Sequence, residues 1–201
     1  MLPSTVKLDD ILRQLLSSRC DANPRVIFGD IELRCFRGLL YLHKVDKAEA
    51  GMLLQGTSCE AVQPPATVAP VTWRGESELY LPHLGGILSF NRENRMENGA
   101  GMHLAKLTEQ PVTIRMRRGG ERLRPDCSRP RRSLKNLLRE AALPPWERGA
   151  LPLIFSGDHL VCVPGIGIDC SYQATAGEPG LAVEWRNASG EDLLDSLGAN
   201  T

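Results

Sequence analysis

The sequence lacks the patterns that mark membrane and secreted proteins. Its 201 residues contain no apolar run of the length that a membrane-spanning helix needs. Its first residues, M-L-P-S-T-V-K-L-D-D, show no charged stretch followed by an apolar stretch, so no signal peptide is expected. We therefore expect a cytoplasmic protein that has no membrane partner.

The sequence also lacks the spacings that bind zinc or build a secreted disulfide framework. None of its six cysteines forms a C-x-x-C pair, and its four histidines are isolated from one another. The number of cysteines leaves disulfide pairing open. Isolated cysteines and histidines are more often structural than catalytic, so no metal site is predicted.

Known catalytic motifs are missing as well. No Walker A loop, no Ser-His-Asp set and no motif of paired carboxylates can be located in the sequence. Gly165-x-Gly167 lacks the third glycine and the strand-to-helix setting of a nucleotide fingerprint. We expect this chain to contain neither catalytic nor cofactor-binding residues.

The composition is typical of a globular protein of mixed class. Apolar residues make up 42% of the chain, and helical and alternating patterns both occur. The predicted fold class is α+β: a partial unit of a helix and a β-meander, then a small domain of mostly antiparallel strands packed with one amphipathic helix. The predicted boundaries are 1–44 for the partial unit, 45–70 for a linker, 71–186 for the C-terminal domain and 187–201 for a mobile tail.

Apolar periodicity predicts the individual elements. A stripe from Leu8 to Leu16 predicts the first helix. Three short runs, at 25–28, 31–36 and 39–43, predict the meander. In the C-terminal domain, strands are predicted at 78–81, 87–90, 111–117, 151–155, 159–163, 165–169 and 181–185.

One segment, residues 115–139, is distinguished by its charge. It contains ten basic and two acidic side chains, whereas the whole chain contains 24 of each. A neutral protein thus carries a local excess of eight positive charges, and such a field attracts polyanions. A run of charge is often only a solvated surface. Here, however, the nearly unopposed cations repel one another unless a partner neutralises them, which favours a phosphate-binding surface.

This basic segment is predicted to form a loop followed by a helix. Gly119-Gly120 and two prolines keep its first part out of regular structure. Ser133 is a good N-cap residue for the helix. The next apolar residues have the spacing of one buried helix face: Leu134, Leu137, Leu138 and Ala141. The double proline at 144–145 is predicted to end the helix.

The sequence from Gly119 to Asp169 resembles the C-terminal domain of bacterial tRNA(Ile)-lysidine synthetases. The matching pieces are G-G-E-R-L-R-P (119–125), R-R-S-L-K-N-L-L-R-E-A (131–141), P-P-W (144–146) and P-L-I-F-S-G-D-H-L-V-C-V-P-G-I-G-I-D (152–169). Residues 1–44 resemble the last part of the middle, substrate-binding domain of the same family.

The resemblance implies a parent enzyme that uses ATP, with Mg, to adenylate the wobble cytidine of an isoleucine tRNA with a CAU anticodon. Lysine then displaces AMP to give lysidine. In the family this ligase chemistry belongs to a PP-loop domain with the motif S-G-G-x-D-S, which this sequence does not contain. The chain alone is therefore expected to be inactive and to bind no cofactor. What the resemblance implies for it is tRNA recognition, with the C-terminal domain at the acceptor stem.

Charge and resemblance together predict a tRNA-binding surface on the basic segment. The residues predicted to contact phosphates and the RNA backbone are Arg117, Arg118, Arg122, Arg124, Arg131, Arg132, Lys135 and Arg139. Arg115 is expected to lie too near the sheet to reach RNA. Glu121 is expected to hold a neighbouring arginine.

Two other hypotheses stay open. In the first, the chain is a dimerisation or scaffold module without direct RNA contact, whose basic segment docks on the acidic part of a partner subunit in a homodimer. In the second, it is an autonomous enzyme, which no motif in the sequence favours.

Overall fold

The computed structural model describes residues 13, 25–28, 31–44, 69–93 and 101–187. It divides the chain into two units, residues 1–63 and residues 64–201. Within the described ranges strands predominate over helices, and every strand pairing is antiparallel. The predicted α+β class is confirmed. None of the helices in these ranges is long and apolar enough to cross a membrane.

The first unit contains a three-stranded antiparallel meander. Its strands are β1 (Arg25–Phe28), β2 (Ile31–Phe36) and β3 (Leu39–Lys44), in the order β1-β2-β3. Arg37 and Gly38 join β2 to β3 with φ angles of 51° and 81°, the left-handed backbone that a two-residue hairpin turn requires. The predicted meander is confirmed. The predicted first helix lies outside the described residues, apart from position 13.

The second unit contains most of the described elements. In chain order they are β4 (Val71–Thr72), β5 (Glu78–Leu81), β6 (Gly86–Glu93), β7 (Met102–His103), α1 (Leu104–Leu107), β8 (Val112–Arg115), β9 (Arg122–Leu123), β10 (Arg132–Ser133), α2 (Leu134–Glu140), β11 (Leu153–Ser156), β12 (His159–Val163), β13 (Gly167–Ile168) and β14 (Gly180–Asn187).

A five-stranded sheet in this unit has the order β13-β12-β11-β8-β4. The predicted hairpin of β11 and β12 turns at Gly157, whose φ of 58° suits a glycine. On the other side of β11, Leu153 pairs with Arg115 and Ser156 pairs with Val112. This pairing brings the end of β8, where the basic segment begins, beside the hairpin.

A four-stranded sheet has the order β5-β6-β14-β7. β6 and β14 pair along their full length, from Gly86 with Asn187 to Glu93 with Gly180. A Cβ at Gly86 would lie 2.3 Å from the carbonyl oxygen of Arg186 and 2.7 Å from the ring of Trp185. Only glycine therefore allows β14 to pack this closely.

The short strands β9 and β10 form a separate pair, and α2 follows β10 directly. The backbone N–H of Leu134 donates to the carbonyl oxygen of Glu121 at 2.8 Å, which fixes the start of α2 beside β9. Ser133 stands at the predicted N-cap, but its side chain makes no capping hydrogen bond. The helix ends at Glu140, before the double proline that was predicted to end it, and Ala142 has a φ of 56°.

One buried apolar cluster contains residues from all three sheets of the second unit and from α2. Its members include Leu88, Ile114, Leu123, Leu134 and Leu138. Leu134 and Leu138 are fully buried, whereas Lys135 and Arg139 are exposed on the other face of the helix. Burial of the leucine face thus turns the basic face of α2 toward solvent.

Candidate nucleic-acid interface

The basic segment runs from the end of β8 through β9 and β10 into α2. Residues 116–121 form a first loop, and residues 124–131, which we call the basic loop, join β9 to β10. In the β9–β10 pair, Arg132 lies opposite Leu123 and Ser133 lies opposite Arg122. Burial of Leu123 anchors this pair in the core. The segment is therefore a folded part of the second unit.

Glu121 shapes the turn that precedes β9. Its Oε1 accepts hydrogen bonds from the backbone N–H groups of Arg118 and Gly119 at 2.5 and 2.8 Å. Its Oε2 lies 3.9 Å from Nε of Arg117. Gly119 and Gly120 have φ angles of 96° and 85°, a backbone that residues with a Cβ rarely adopt. The carboxylate thus holds a neighbouring arginine, as expected, and the turn leaves Arg118 exposed.

Among the residues that the structure describes, ion pairs are seen for five cations of the basic segment. The pairs are Arg115 with Asp158 (3.4 Å), Arg117 with Glu121 (3.9 Å), Arg129 with Asp126 (3.4 Å), Arg131 with Asp169 (3.3 Å) and Arg132 with Glu140 (2.7 Å). Three of these carboxylates come from outside the segment: Asp158, Asp169 and Glu140. Folding therefore brings three negative charges from outside the segment against its excess of eight positive charges.

Arg115 is bound to the β11–β12 hairpin. Its Nη2 donates to the carbonyl oxygen of Gly157 at 2.6 Å, and its Nε donates to Oγ1 of Thr113 at 3.0 Å. Its guanidinium lies 4.5 Å from the centre of the Phe155 ring, a cation–π contact. These contacts give Arg115 a structural role within the five-stranded sheet.

Arg132 and Glu140 form a bidentate pair on the surface. Nη1 of Arg132 donates to Oε2 of Glu140 at 2.7 Å, and Nη2 donates to Oε1. This hydrogen bonding lowers the pKa of Glu140 and raises the pKa of Arg132. Both groups therefore stay charged near neutral pH, and the carboxylate occupies one edge of the guanidinium.

Four of the predicted RNA-binding residues pair with no carboxylate in the part of the chain that the structure describes. They are Arg118, Arg122, Arg124 and Lys135. Arg122 donates from Nη2 to the carbonyl oxygen of Arg131 at 2.9 Å, and Arg124 donates from Nε to Sγ of Cys170 at 3.2 Å. Neither contact neutralises the cation.

Lys135 and Arg139 are exposed residues of α2. They are four residues apart and therefore lie on the same helix face. In the β9–β10 pair, Arg122 lies opposite Ser133, the residue directly before the helix, so Arg122 lies near the start of this face. The result is a group of cations carried by a short strand and the helix that follows it.

Asp169 is the buried carboxylate beneath the basic loop. Its Oδ2 accepts from the backbone N–H of Arg124 at 3.2 Å and from Nη2 of Arg131 at 3.3 Å. Its Oδ1 accepts from Oγ of Ser171 at 2.6 Å and lies 3.6 Å from Nε2 of His159. Burial alone would raise the pKa of Asp169, but the hydrogen bonds from Ser171 and Arg124 and the charge of Arg131 together lower it.

Further contacts hold the basic loop on residues 167–173. The backbone N–H of Cys170 donates to the carbonyl oxygen of Arg124 at 2.7 Å. Nε2 of Gln173 donates to the carbonyl oxygen of Pro125 at 2.7 Å. A disulfide joins Cys127, within the loop, to Cys170. Sequence reasoning had left cysteine pairing open.

Sequence reasoning missed the three carboxylates that come from outside the segment. Asp169 had one visible signal, because it is the single acidic residue of the run L-V-C-V-P-G-I-G-I-D at 160–169. From the sequence, Asp158 was interpreted only as part of a hairpin turn, and Glu140 only as a polar residue of the helix. For metals, the described ranges contain no group of three or more histidine, cysteine or acidic residues that could hold an ion.

Comparison with known proteins identifies two domain types in the chain. Residues 112–185 match the family model described as TilS substrate C-terminal domain. Residues 1–41 match the model described as TilS substrate binding domain. The basic segment and its Asp169 anchor lie within the first of these matches.

Curated relatives extend the match across most of the chain. A tRNA(Ile)-lysidine synthase of Nitrosomonas europaea is 46% identical over 184 residues, which cover 92% of this chain and 36% of the relative. A tRNA(Ile)-lysidine synthase of Ralstonia nicotianae is 30% identical and covers 96% of this chain and 39% of the relative. The chain thus spans little more than a third of the length of these relatives.

A solved structure described as the crystal structure of TILS C-terminal domain is also similar. It shares 23% sequence identity with a TM-score of 0.45, and the match covers 55% of this chain and 89% of that one.

Proposed function

Since the chain belongs to the family of tRNA(Ile)-lysidine synthases, we propose that it binds the isoleucine tRNA with a CAU anticodon through its basic segment. The complete proposal is that it serves the ATP-dependent ligase reaction that converts the wobble cytidine to lysidine, a tRNA modification. Its own part would be recognition of the tRNA without a catalytic site.

The observation that carries this proposal is the group of cations that folding leaves unopposed. Arg118, Arg122, Arg124 and Lys135 pair with no carboxylate among the described residues, although five nearby cations do. Phosphate contacts from such cations supply most of the affinity of a protein for a nucleic acid. That these cations stay without a carboxylate partner in the described ranges, beside arginines that have one, supports binding of an anionic partner such as a nucleic acid.

The acceptor stem is the part of the tRNA that we propose for this surface. An A-form stem presents phosphates and 2′-hydroxyl groups along a shallow minor groove, while its deep major groove is poorly accessible. A surface built from a short strand pair, an exposed loop and a helix face can follow such a shape without entering a groove. This supports recognition through the backbone of the stem.

Salt dependence tests the proposal. Binding of the purified chain to an in vitro transcript of this tRNA is measured by fluorescence anisotropy over a range of salt concentrations. If each of the four unopposed cations meets one phosphate, log K should fall with log salt at a slope of about 3 to 4. Equal affinity at about 50 and 200 mM salt would contradict the proposal.

Paired variants locate the surface. Arg118→Ala together with Lys135→Ala should lower the salt slope by about 2, because each change removes one phosphate contact. Arg92→Ala, which removes an exposed arginine of β6 in the four-stranded sheet, is the matched control and should leave the slope unchanged. Thermal melting of each variant verifies that the fold is intact.

Sedimentation separates this proposal from the dimerisation alternative. A dimer that dissociates on Arg131→Glu, with no RNA complex at any concentration tested, would support a scaffold role. A chain whose RNA complex weakens on the same change, without a change in its own oligomeric state, would support tRNA binding.

A further inference from the structure

We infer that Asp169 is a positioning residue for tRNA binding, because it holds both ends of the basic loop and thereby orients the side chain of Arg131 toward the RNA. The inference rests on the proposed function and adds to it a residue that does not itself touch the ligand. Asp169 is fully buried, so it acts only through the groups bonded to it.

The geometry places one oxygen atom at the junction of the loop ends. Oδ2 of Asp169 accepts from the backbone N–H of Arg124, where the basic loop begins, and from the guanidinium of Arg131, where it ends. The two distances are 3.2 and 3.3 Å. A single buried carboxylate therefore closes the loop from below, beside the β9–β10 pair that closes it through the backbone.

The loop needs such a restraint because it has almost no core of its own. Residues 126–130 are all exposed, and each ordered backbone residue loses conformational entropy on folding. Cys170 and Gln173 donate hydrogen bonds to carbonyl oxygens of the loop, and Cys170 also forms a disulfide with Cys127. Asp169 also orders an arginine side chain that is predicted to meet the RNA.

The orientation of Asp169 is itself fixed from the opposite side. Its Oδ1 accepts from the hydroxyl and the backbone N–H of Ser171 at 2.6 and 3.3 Å. With Oδ1 bound to Ser171, Oδ2 faces the loop. Asparagine at this position has a similar shape but only one acceptor oxygen, so it cannot serve both Ser171 and the loop.

Double-mutant cycles distinguish positioning from general stabilisation. Affinity for the CAU-anticodon tRNA transcript is measured for Asp169→Asn, Arg131→Ala and Lys135→Ala, alone and in pairs, at one salt concentration. All measurements are made with dithiothreitol present, because the disulfide of Cys127 and Cys170 restrains the same loop. Lys135 is the matched control cation, since it makes no contact with Asp169.

We expect Asp169→Asn to weaken binding about tenfold, a typical coupling for residues in one hydrogen-bond network. Adding Arg131→Ala to Asp169→Asn should then lower the affinity for tRNA little further, because Arg131 is no longer oriented by Asp169. Lys135→Ala should weaken the Asp169→Asn protein by its full single-variant factor. Ser171→Ala removes only the hydroxyl that orients the carboxylate, and it should show the same pattern with smaller changes in affinity. If the Asp169→Asn protein fails to fold, Ser171→Ala takes its place in the cycles.

Three results would overturn the inference. If Asp169→Asn and Ser171→Ala bind tRNA like the unmodified chain while Lys135→Ala is weakened, Asp169 has no positioning role and the proposed function stands. If Arg131→Ala and Lys135→Ala both add their full factors to Asp169→Asn, Asp169 acts through stability alone. If no variant changes binding, Lys135→Ala included, the proposed function fails as well.

Discussion

Changing Glu140 to glutamine is expected to strengthen tRNA binding. In the free protein this carboxylate occupies one edge of the Arg132 guanidinium through two hydrogen bonds. Removing its charge raises the net charge of the surface by one and frees Arg132 for a phosphate. The Glu140 side chain is 57% exposed, and a surface pair of this kind contributes little to stability. A negative charge at the end of α2 also opposes the helix dipole, so the change should not unfold the helix.

The magnitude follows from counterion release. One additional phosphate contact adds about 0.9 to the slope of log K against log salt. If the added contact contributes nothing at about 1 M salt, it should make tRNA binding about eightfold tighter at about 0.1 M. Anisotropy titrations of the tRNA transcript at several salt concentrations give both the affinity and the slope.

Glu78→Gln is the control for this experiment. Glu78 is an exposed residue of β5, in the four-stranded sheet, so its substitution makes the same change of net charge away from the basic segment. It should leave the slope unchanged. A Glu140→Gln protein that binds no better than the control, or binds less tightly, would refute the reasoning. It would mean that Glu140 orders Arg132 for RNA more than it neutralises the arginine.

Two further predictions concern the scaffold. The pKa of Asp169 is lower in the folded protein than in the unfolded chain, so its stabilising contribution is present above about pH 4 and is lost as the pH falls further. The melting temperature should therefore fall more steeply with acid in the unmodified chain than in Asp169→Asn, and equal slopes would contradict this. Leu138→Ala should lower the free energy of unfolding by about 2 to 5 kcal/mol in urea titrations, because Leu138 is fully buried. Lys135→Ala, on the exposed face of the same helix, should change it by less than about 0.5 kcal/mol, and a similar loss in both variants would contradict the assignment of faces.

The longer strands could be predicted from sequence because local signals agree with the fold. The strands Arg25–Phe28, Glu78–Leu81 and His159–Val163 have the bounds that their apolar patterns and flanking turns predict. The two-residue strands of the basic segment were not predicted in this way. Arg122–Leu123 and Arg132–Ser133 are strands only because they pair with each other across the basic loop, and no periodicity can appear in two residues.

The sequence predicted where the positive charge of the candidate site is concentrated, and the structure showed which of its cations have carboxylate partners. Sequence shows that cations are concentrated, but it does not show which of them the fold neutralises. Asp158 lies 43 residues from Arg115, and Asp169 lies 38 residues from Arg131, so neither pairing has a local signal. Of the eight predicted contact residues, Arg117, Arg131 and Arg132 have a carboxylate partner. Their contact with RNA remains a prediction.

A carboxylate partner does not affect every arginine in the same way. A guanidinium has five N–H donors, and it can meet a phosphate with those that the carboxylate leaves unused. Glu140 binds both terminal nitrogens of Arg132, whereas Asp169 binds only Nη2 of Arg131, from beneath the loop. Nη2 of Arg131 also lies 3.3 Å from Nε2 of His159, so the donors on Nε and Nη1 are the ones that can meet a phosphate, in an orientation that a buried acceptor fixes in advance. Pairing with a carboxylate thus lowers the charge available to RNA at both positions. At Arg131 it also reduces the conformational entropy that the side chain loses on binding. The balance of these two effects sets the contribution of each arginine to the affinity.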